Sequence, residues 1–311
     1  IFSPISTDGC YQVGIKPEQL VGMKVTEAHG PVIALLQEHN NLILKENIKH
    51  SYPHCWRCRN GLIFRATKQW FCELSHNNFK ERVLKAVEET QFIPERTRNR
   101  LKASVSGRLE WCLSRQRVWG TPIIALICTD CDTPFIDVAM IEKVAQLIQK
   151  FTISYWGTVS LDAVRPEGAC CTNCKGTNFR KETDILDVWF DSGVSQFAVL
   201  KNNPQLGFPA TVYSEGSDQH RGWFQSSMLA SVVLEDAPCT KIFVTHGYTV
   251  DEKGHKMSKS LGNVVVPQEI IDKLGTDGLR LWAASIDRES DAIVSDNLLE
   301  NVKEVFRKVR N

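Results

Sequence analysis

Two lysines three residues apart, Lys256 and Lys259, lie in the string KMSKS between Gly254 and Gly262. Glycine flanks leave such a loop free to close. Two ammonium groups brought onto the oxygens of a leaving pyrophosphate would stabilise charge that builds in a transition state. By spacing alone, a lysine pair in a polar loop is also ordinary solvated surface. A second constellation is built from cysteine: CTDC carries Cys128 and Cys131, and CTNC carries Cys171 and Cys174. Two CxxC pairs of this kind match a tetrahedral Cys₄ zinc ribbon, in which a full ligand set leaves no open position for chemistry. Cys170 adjoins Cys171 and competes for that ligand position. Zinc would fold an insert expected to lack its own core, because metal-binding free energy becomes folding free energy. A third pair, Cys55 and Cys58, has no partner pair, since Cys10, Cys72, Cys112 and Cys239 are isolated. It is either structural without metal or half of a site completed from outside this chain.

Several elements must position these groups. Residues 1–50 read as a turn-rich start, a helix over 30–39 and a short apolar strand over 42–44. From 51 to 120 come HSYPHCWRCRN, a strand-like LIFRATKQWF, an amphipathic helix near 81–89 and WCLSRQRVWG. Interleaved basic and tryptophan residues there suit RNA or nucleotide contact, and suit a core edge equally. Residues 121–180 hold the cysteine pairs around a helix over 137–151. Residues 181–270 alternate strands (211–214 and 242–246) with a helix (219–234), the pattern of a parallel sheet. Such a sheet binds its ligand at the carboxyl ends of its strands, where EGSDQH and THGYTVDEKG fall. A Pro267-led helix follows, and Ser295-Asp296 caps a last amphipathic helix whose polar face carries Lys303, Arg307, Lys308 and Arg310.

Composition sets the limits. The 311 residues are 42% apolar and 23% charged, and 37 basic against 36 acidic residues leave a net charge of +1. No global field draws the chain to nucleic acid or an anionic membrane, so any RNA contact must be local. No apolar run approaches the roughly 18 residues of a membrane span. With 11 cysteines and no signal peptide, metal ligation is favoured over disulfides, and a cytoplasmic setting is expected. The start at Ile1 suggests part of a longer protein.

KMSKS after a strand of a doubly wound sheet resembles the signature of class I aminoacyl-tRNA synthetases. HSYPHCWRC, WCLSRQRVWG, LDVWFDSG, EGSDQHRGWF and THGYTVDEKGHKMSKSLGN together resemble the bacterial-type isoleucyl-tRNA synthetases, across nearly the whole chain. That resemblance implies an α/β fold: the second half of a doubly wound parallel, Rossmann-type domain, with a zinc-ribbon insert and a C-terminal helical segment. It divides the chain into the end of an editing insertion (1–50), a return connection with catalytic-domain elements (51–120), the zinc insert (121–180), the Rossmann half with KMSKS (181–270) and helices leading to an anticodon-binding domain (271–311).

The family's chemistry would be attack of the isoleucine carboxylate on ATP with Mg²⁺ present, then transfer of the acyl group to tRNA(Ile). By resemblance Lys259 is the principal ATP contact, Lys256 its helper, and Glu215 an adenylate contact; a carboxylate at a strand's carboxyl end also suits an ammonium. Trp189 and Trp223 match tryptophans that wall the side-chain pocket, where an aromatic surface offers area without a polar atom. Asp218, Gln219 and His246 are further candidates for substrate or ATP contact, although a capping Asp and a His after a strand often serve structure. Structural Zn²⁺ completes the cofactors, and a monomer is the family's habit. One departure stands out: the HxGH-type string that class I enzymes pair with KMSKS does not occur in these 311 residues. The chain is therefore expected to hold half of an ATP site and to be inactive alone. Valyl specificity is the rival within the class, and a non-catalytic zinc-ribbon tRNA-binding fragment is the rival outside it.

Overall fold

The chain folds as two units, Ile1–Gln69 and Trp70–Asn311, and the computed structural model describes residues 3–55, 58–258 and 262–311. In the first unit the helix expected over 30–39 is α1 (His29–Glu38). Its residues are at most half-buried, and the buried apolar groups nearby in sequence are Ile5, Ile15, Leu20 and Ala28. The strand expected over 42–44 does not form: these residues have no regular structure, and Ile43 is 99% exposed. Strand structure needs a ladder partner, which a short apolar run does not itself supply. For the same reason LIFRATKQWF is mostly irregular, and only its last residue, Phe71, enters a strand.

The second unit opens with β1 (Phe71–Glu73), α2 (Phe79–Glu89), β2 (Gln91–Ile93) and α3 (Arg98–Ser106). β3 (Glu110–Cys112) then returns antiparallel to β1, followed by β4 (Ser114–Arg115). An insert comprises β5 (Leu126–Cys128), β6 (Pro134–Phe135), α4 (Val138–Phe151), two one-turn helices α5 (Tyr155–Thr158) and α6 (Leu161–Val164), and β7 (Phe179–Lys181). β8 (Ile185–Leu186) pairs antiparallel with β4 and leads to α7 (Val188–Gly193), β9 (Ala210–Gly216), α8 (Trp223–Glu235) and β10 (Thr240–His246). β11 (Thr249–Val250), α9 (Pro267–Ser285), β12 (Ala292–Ile293) and α10 (Asp296–Arg310) complete it.

β2, β10 and β9 form a parallel sheet in that order. Parallel strands need a crossover between them, and α8 makes the one from β9 to β10. Every residue of α8 from Phe224 to Val232 is buried, so apart from the hydrogen-bonded Gln225 it is apolar or small on all sides rather than amphipathic. Phe243 of β10 sits at the centre of the core, 4.4 Å from the Phe224 ring and 5.2 Å from Phe92. Phe79, Val83, Ala86 and Val87 give α2 one buried face against it, as 3.6-residue periodicity requires. Helix 219–234 of the sequence reading is two elements: a 3₁₀ turn, Ser217–Arg221, and α8, separated by the non-helical Gly222.

The insert differs from expectation. The sequence leads one to expect no core there, yet Leu126, Met140, Val144, Trp156, Val164 and Phe179 form an apolar cluster of its own. Asp137 caps α4 by accepting from Met140 N at 2.7 Å, and Lys181 donates to the carbonyls of Trp156 and Val159. Toward the end of the chain Gly275 (φ +76°) breaks α9 into two segments, a backbone that favours glycine. Ser295 caps α10 through Leu298 N at 3.2 Å.

Candidate functional site

The cysteine pairs meet. The sulfurs of Cys128, Cys131, Cys171 and Cys174 all lie within 4.8 Å of one another, with Cys128 to Cys174 and Cys131 to Cys171 at 3.5 Å. Tetrahedral zinc with Zn–S near 2.3 Å needs sulfurs about 3.8 Å apart, so the donor set and its spacing fit zinc. Each pair is shaped by the same local turn. Cys128 N donates to Thr133 O and Asp132 N to Cys128 O; likewise Cys171 N donates to Gly176 O and Lys175 N to Cys171 O. Asp132 and Lys175 take the left-handed conformation, φ +56° and +63°. The Thr133 hydroxyl, bonded to the Cys131 sulfur, pulls that thiol down to about 6, toward the thiolate a metal needs. Cys170 is exposed and outside the cluster.

Cys55 and Cys58 form a third turn of the same kind. Cys55 N donates to Asn60 O at 2.8 Å, Arg59 N to Cys55 O at 2.9 Å, and Arg59 has φ +63°. Cys58 N also donates to the Cys55 sulfur at 3.5 Å. The pair thus has the backbone of a metal knuckle, which spacing by itself did not decide.

A second site lies at the carboxyl ends of the parallel strands, where the residues after β9 and β10 converge. Glu215 and His246 are near the strand ends, with Glu215 opposite Thr245 in the ladder. The Glu215 side chain is half-buried and makes no hydrogen bond or ion pair with a described residue. His246 is exposed, its Nδ1 2.7 Å from Gly247 O. Beside them a cleft of about 370 Å³ is lined by Arg96, Arg100, Ser217, His246 and Tyr248, among others.

Asp218 is exposed and engaged: its Oδ1 accepts from the Tyr248 hydroxyl at 2.7 Å, and its N–H donates to the same oxygen at 3.0 Å. The Tyr248 hydroxyl, then the backbone and the Lys256 charge, hold the Asp218 carboxyl below its ordinary range. Gln219 serves as a cap, its Oε1 accepting from Trp223 N at 3.0 Å, while its Nε2 donates to Asp218. His220 is buried; its Nδ1 lies 2.8 Å from Ser217 O and so carries the proton, leaving Nε2 as a lone pair with no partner among the described residues. Burial pushes its pKa down.

The tryptophans flank Gly222. Trp189 is 39% exposed, and its ring edge is 2.9 Å from where a Gly222 Cβ would stand. Trp223 stacks on Tyr213 at 4.1 Å and donates to Ser192 O at 2.9 Å. Its ring packs on the core edge, whereas Trp189 offers more free surface.

The loop between β11 and α9 is organised by Asp251 and Asn263. Asp251 accepts from Lys253 N and His255 N, both at 2.9 Å, and Gly254 turns the chain at φ +77°. Asn263 donates to Asp251 and accepts from Ser258 N, both at 2.9 Å, bracing the two ends of the loop. Lys256 is bridged to Val250, and its ammonium lies 3.7 Å from the Tyr248 ring centroid. Lys259, with residues 260 and 261, lies outside the described residues.

Sequence reasoning missed Asp187. It is 4% exposed, and its carboxylate accepts from Trp111 Nε1 at 3.1 Å, pairs with Arg115 at 3.0 Å and caps α7 through Trp189 N at 3.3 Å. The only local signal was an acid just before a helix, a pattern too common to single out. Tyr248 was also missed, because nothing local distinguishes it from a core aromatic.

Residues 18–295 match the family model described as tRNA synthetases class I (I, L, M and V). The chain belongs to that family. Among its relatives are isoleucine–tRNA ligases of Lawsonia intracellularis (45% identical over 314 residues) and Aquifex aeolicus (45% over 317), each covering all of this chain. The synthetase chain spans 33% of the length of each of those relatives. Its fold is similar to that of Mycobacterium tuberculosis methionyl-tRNA synthetase bound by methionyl-adenylate, with TM-score 0.50, 18% identity, 80% of this chain and 40% of that one. The earlier resemblance to isoleucyl-tRNA synthetases therefore holds over the full 311 residues, and the α/β class with a parallel sheet and a cysteine cluster is observed. No described helix is long and apolar enough to cross a membrane.

Proposed function

We propose that this chain supplies the KMSKS half of the active site of a cytoplasmic, monomeric isoleucine–tRNA ligase. The observation that carries the reading is Glu215 and Asp218 at the carboxyl end of β9, with the Lys256 ammonium brought beside Asp218 over the Tyr248 ring, at the carboxyl edge of the sheet, where α/β folds bind ligands. The names of the relatives, shared over the whole chain, support isoleucine and tRNA(Ile) as substrates. The isoleucine carboxylate oxygen bonds to the α-phosphorus of ATP as the bond to pyrophosphate breaks, giving isoleucyl-adenylate. A ribose hydroxyl of tRNA then takes the acyl group and AMP leaves. Glu215, with no hydrogen-bond or ion-pair partner among the described residues, receives the amino acid's ammonium, and Trp189 with Trp223 bounds its side chain. Asp218 and Gln219 order the turn beneath, and His246 faces the nucleotide.

Lys256 and Lys259 act as catalytic cations on the departing phosphates; Mg²⁺ arriving with ATP adds charge neutralisation. Zn²⁺ on Cys128, Cys131, Cys171 and Cys174 is structural. Cys55 and Cys58, already turned as a knuckle, form a half-site completed from outside this chain. With half an ATP site the chain is inactive by itself, and the activity belongs to a longer polypeptide.

The test is amino-acid-dependent pyrophosphate exchange in the full-length protein. Isoleucine is expected to drive exchange, and Glu215→Gln to lose about 10- to 150-fold in kcat/KM for isoleucine, as for a charge-assisted hydrogen bond of about 1.5–3 kcal/mol. Preference for valine, or unchanged kinetics in E215Q, refutes the assignment. Zinc-dependent tRNA binding with no exchange would favour the non-catalytic reading.

A further inference from the structure

We propose that Tyr248 is a positioning residue that docks Lys256 at the strand-end site before ATP arrives. This rests on the phosphate-loop reading of KMSKS above.

The Lys256 ammonium stands over the ring at 3.7 Å from its centroid, well inside the reach of a cation–π contact. The ring is itself held at its hydroxyl, its backbone and one edge. Its hydroxyl donates to Asp218 Oδ1 and accepts from Asp218 N, with Ser217 Oγ 3.3 Å away. Its backbone N–H donates to Asp291 at 2.8 Å, and its carbonyl accepts from Ala292 N at 2.7 Å. A Cβ at Gly216 would stand 3.0 Å from its ring edge, so the glycine ending β9 is what lets the ring lie against that strand. Tyr248 thus joins three elements: the end of β9, the segment before β12, and the lysine of the loop between β11 and α9. Lys256 itself is exposed and makes no hydrogen bond with a described residue; besides the backbone bridge, its ammonium has the Tyr248 ring in contact and the Asp218 charge nearby.

The consequence is preorganisation. A lysine carries large rotamer freedom, and ATP binding must otherwise order it. With the ammonium already held beside the strand ends, less ordering remains when the nucleotide binds. A contact of this class corresponds to about a 2- to 5-fold bias toward the docked state. Because the phenol oxygen ends on Asp218 and the ring face on Lys256, the two functions of the side chain separate by substitution. Tyr248→Phe keeps the ring under Lys256 and loses the link to Asp218; Tyr248→Leu loses both.

Two measurements on the zinc-loaded full-length protein test this. In the first, lysines are dimethylated with ¹³C, and the Lys256 signal is assigned by its loss in Lys256→Arg. An upfield, ring-shifted signal is expected in the wild type, kept in Y248F and lost in Y248L. In the second, pyrophosphate exchange gives the KM for ATP and for isoleucine. Y248L is expected to raise the ATP KM about 2- to 5-fold with little change in the isoleucine KM, and Y248F to restore most of the ATP KM. A wild-type signal indistinguishable from those of exposed lysines overturns the dock. A ring-shifted signal lost in Y248L with no change in ATP KM overturns its role in nucleotide binding. A docked signal in a protein that shows no exchange with any amino acid supports the dock and instead refutes the synthetase reading on which its purpose rests.

Discussion

Replacing Asp187 by alanine should destabilise the Trp70–Asn311 unit more than the loss of an ordinary helix-start acid would. Three groups lose their acceptor. Trp111 is 4% exposed, so its orphaned Nε1–H costs about 1–3 kcal/mol of desolvation. The α7 cap at Trp189 N is worth about 1 kcal/mol. Arg115 is 41% exposed on its side chain and can turn to water, so its share is about 0–1 kcal/mol. The sum is roughly 2–5 kcal/mol. Urea unfolding followed by tryptophan fluorescence, at fixed zinc because bound metal shifts apparent stability, measures it. Arg115→Gln serves as the control and should cost no more than about 1 kcal/mol. If D187A lies within about 0.5 kcal/mol of the wild type, or if R115Q costs as much as D187A, the hub is not what holds α7 and Trp189 in place.

Two further outcomes follow from the site geometry. Cys171→Ser should lose bound zinc by elemental analysis while Cys170→Ser retains about one equivalent; because the insert has its own apolar cluster, C171S should loosen the knuckles and leave far-ultraviolet helicity largely intact, and complete unfolding of the insert would contradict that. His220 makes stability fall with acid: its folded pKa is held below the ordinary 6.5 by burial, so the unfolded chain takes up the proton first. Its stabilising share is full above about 6.5 and lost as pH falls toward the folded value, at a slope of at most about 1.4 kcal/mol per pH unit. Urea midpoints between pH 7.5 and 5 should show this slope reduced in His220→Gln, and an identical slope in the variant would remove His220 as the source.

What could be read from the sequence was what short stretches of backbone decide for themselves. A CxxC turn closes its own hydrogen bonds within six residues, so Cys128, Cys131, Cys171 and Cys174 were identifiable as a set. Caps such as Asp137 and Ser295 act three residues away, and the β9–α8–β10 unit showed in its alternating pattern. The order KMSKS likewise marked the loop. Where a partner had to come from elsewhere, local pattern failed: residues 42–44 had the composition of a strand and found no ladder.

Tertiary structure alone decided which distant groups meet. Asp187 lies 76 residues from Trp111, and Tyr248 lies 30 from Asp218; only the chain's path through the sheet brings them within bonding distance. The same path set β2 beside β10 and gave the insert a core. Contacts of this kind depend on loop closures paid over many residues, and no window of sequence short enough to read as a pattern contains both partners.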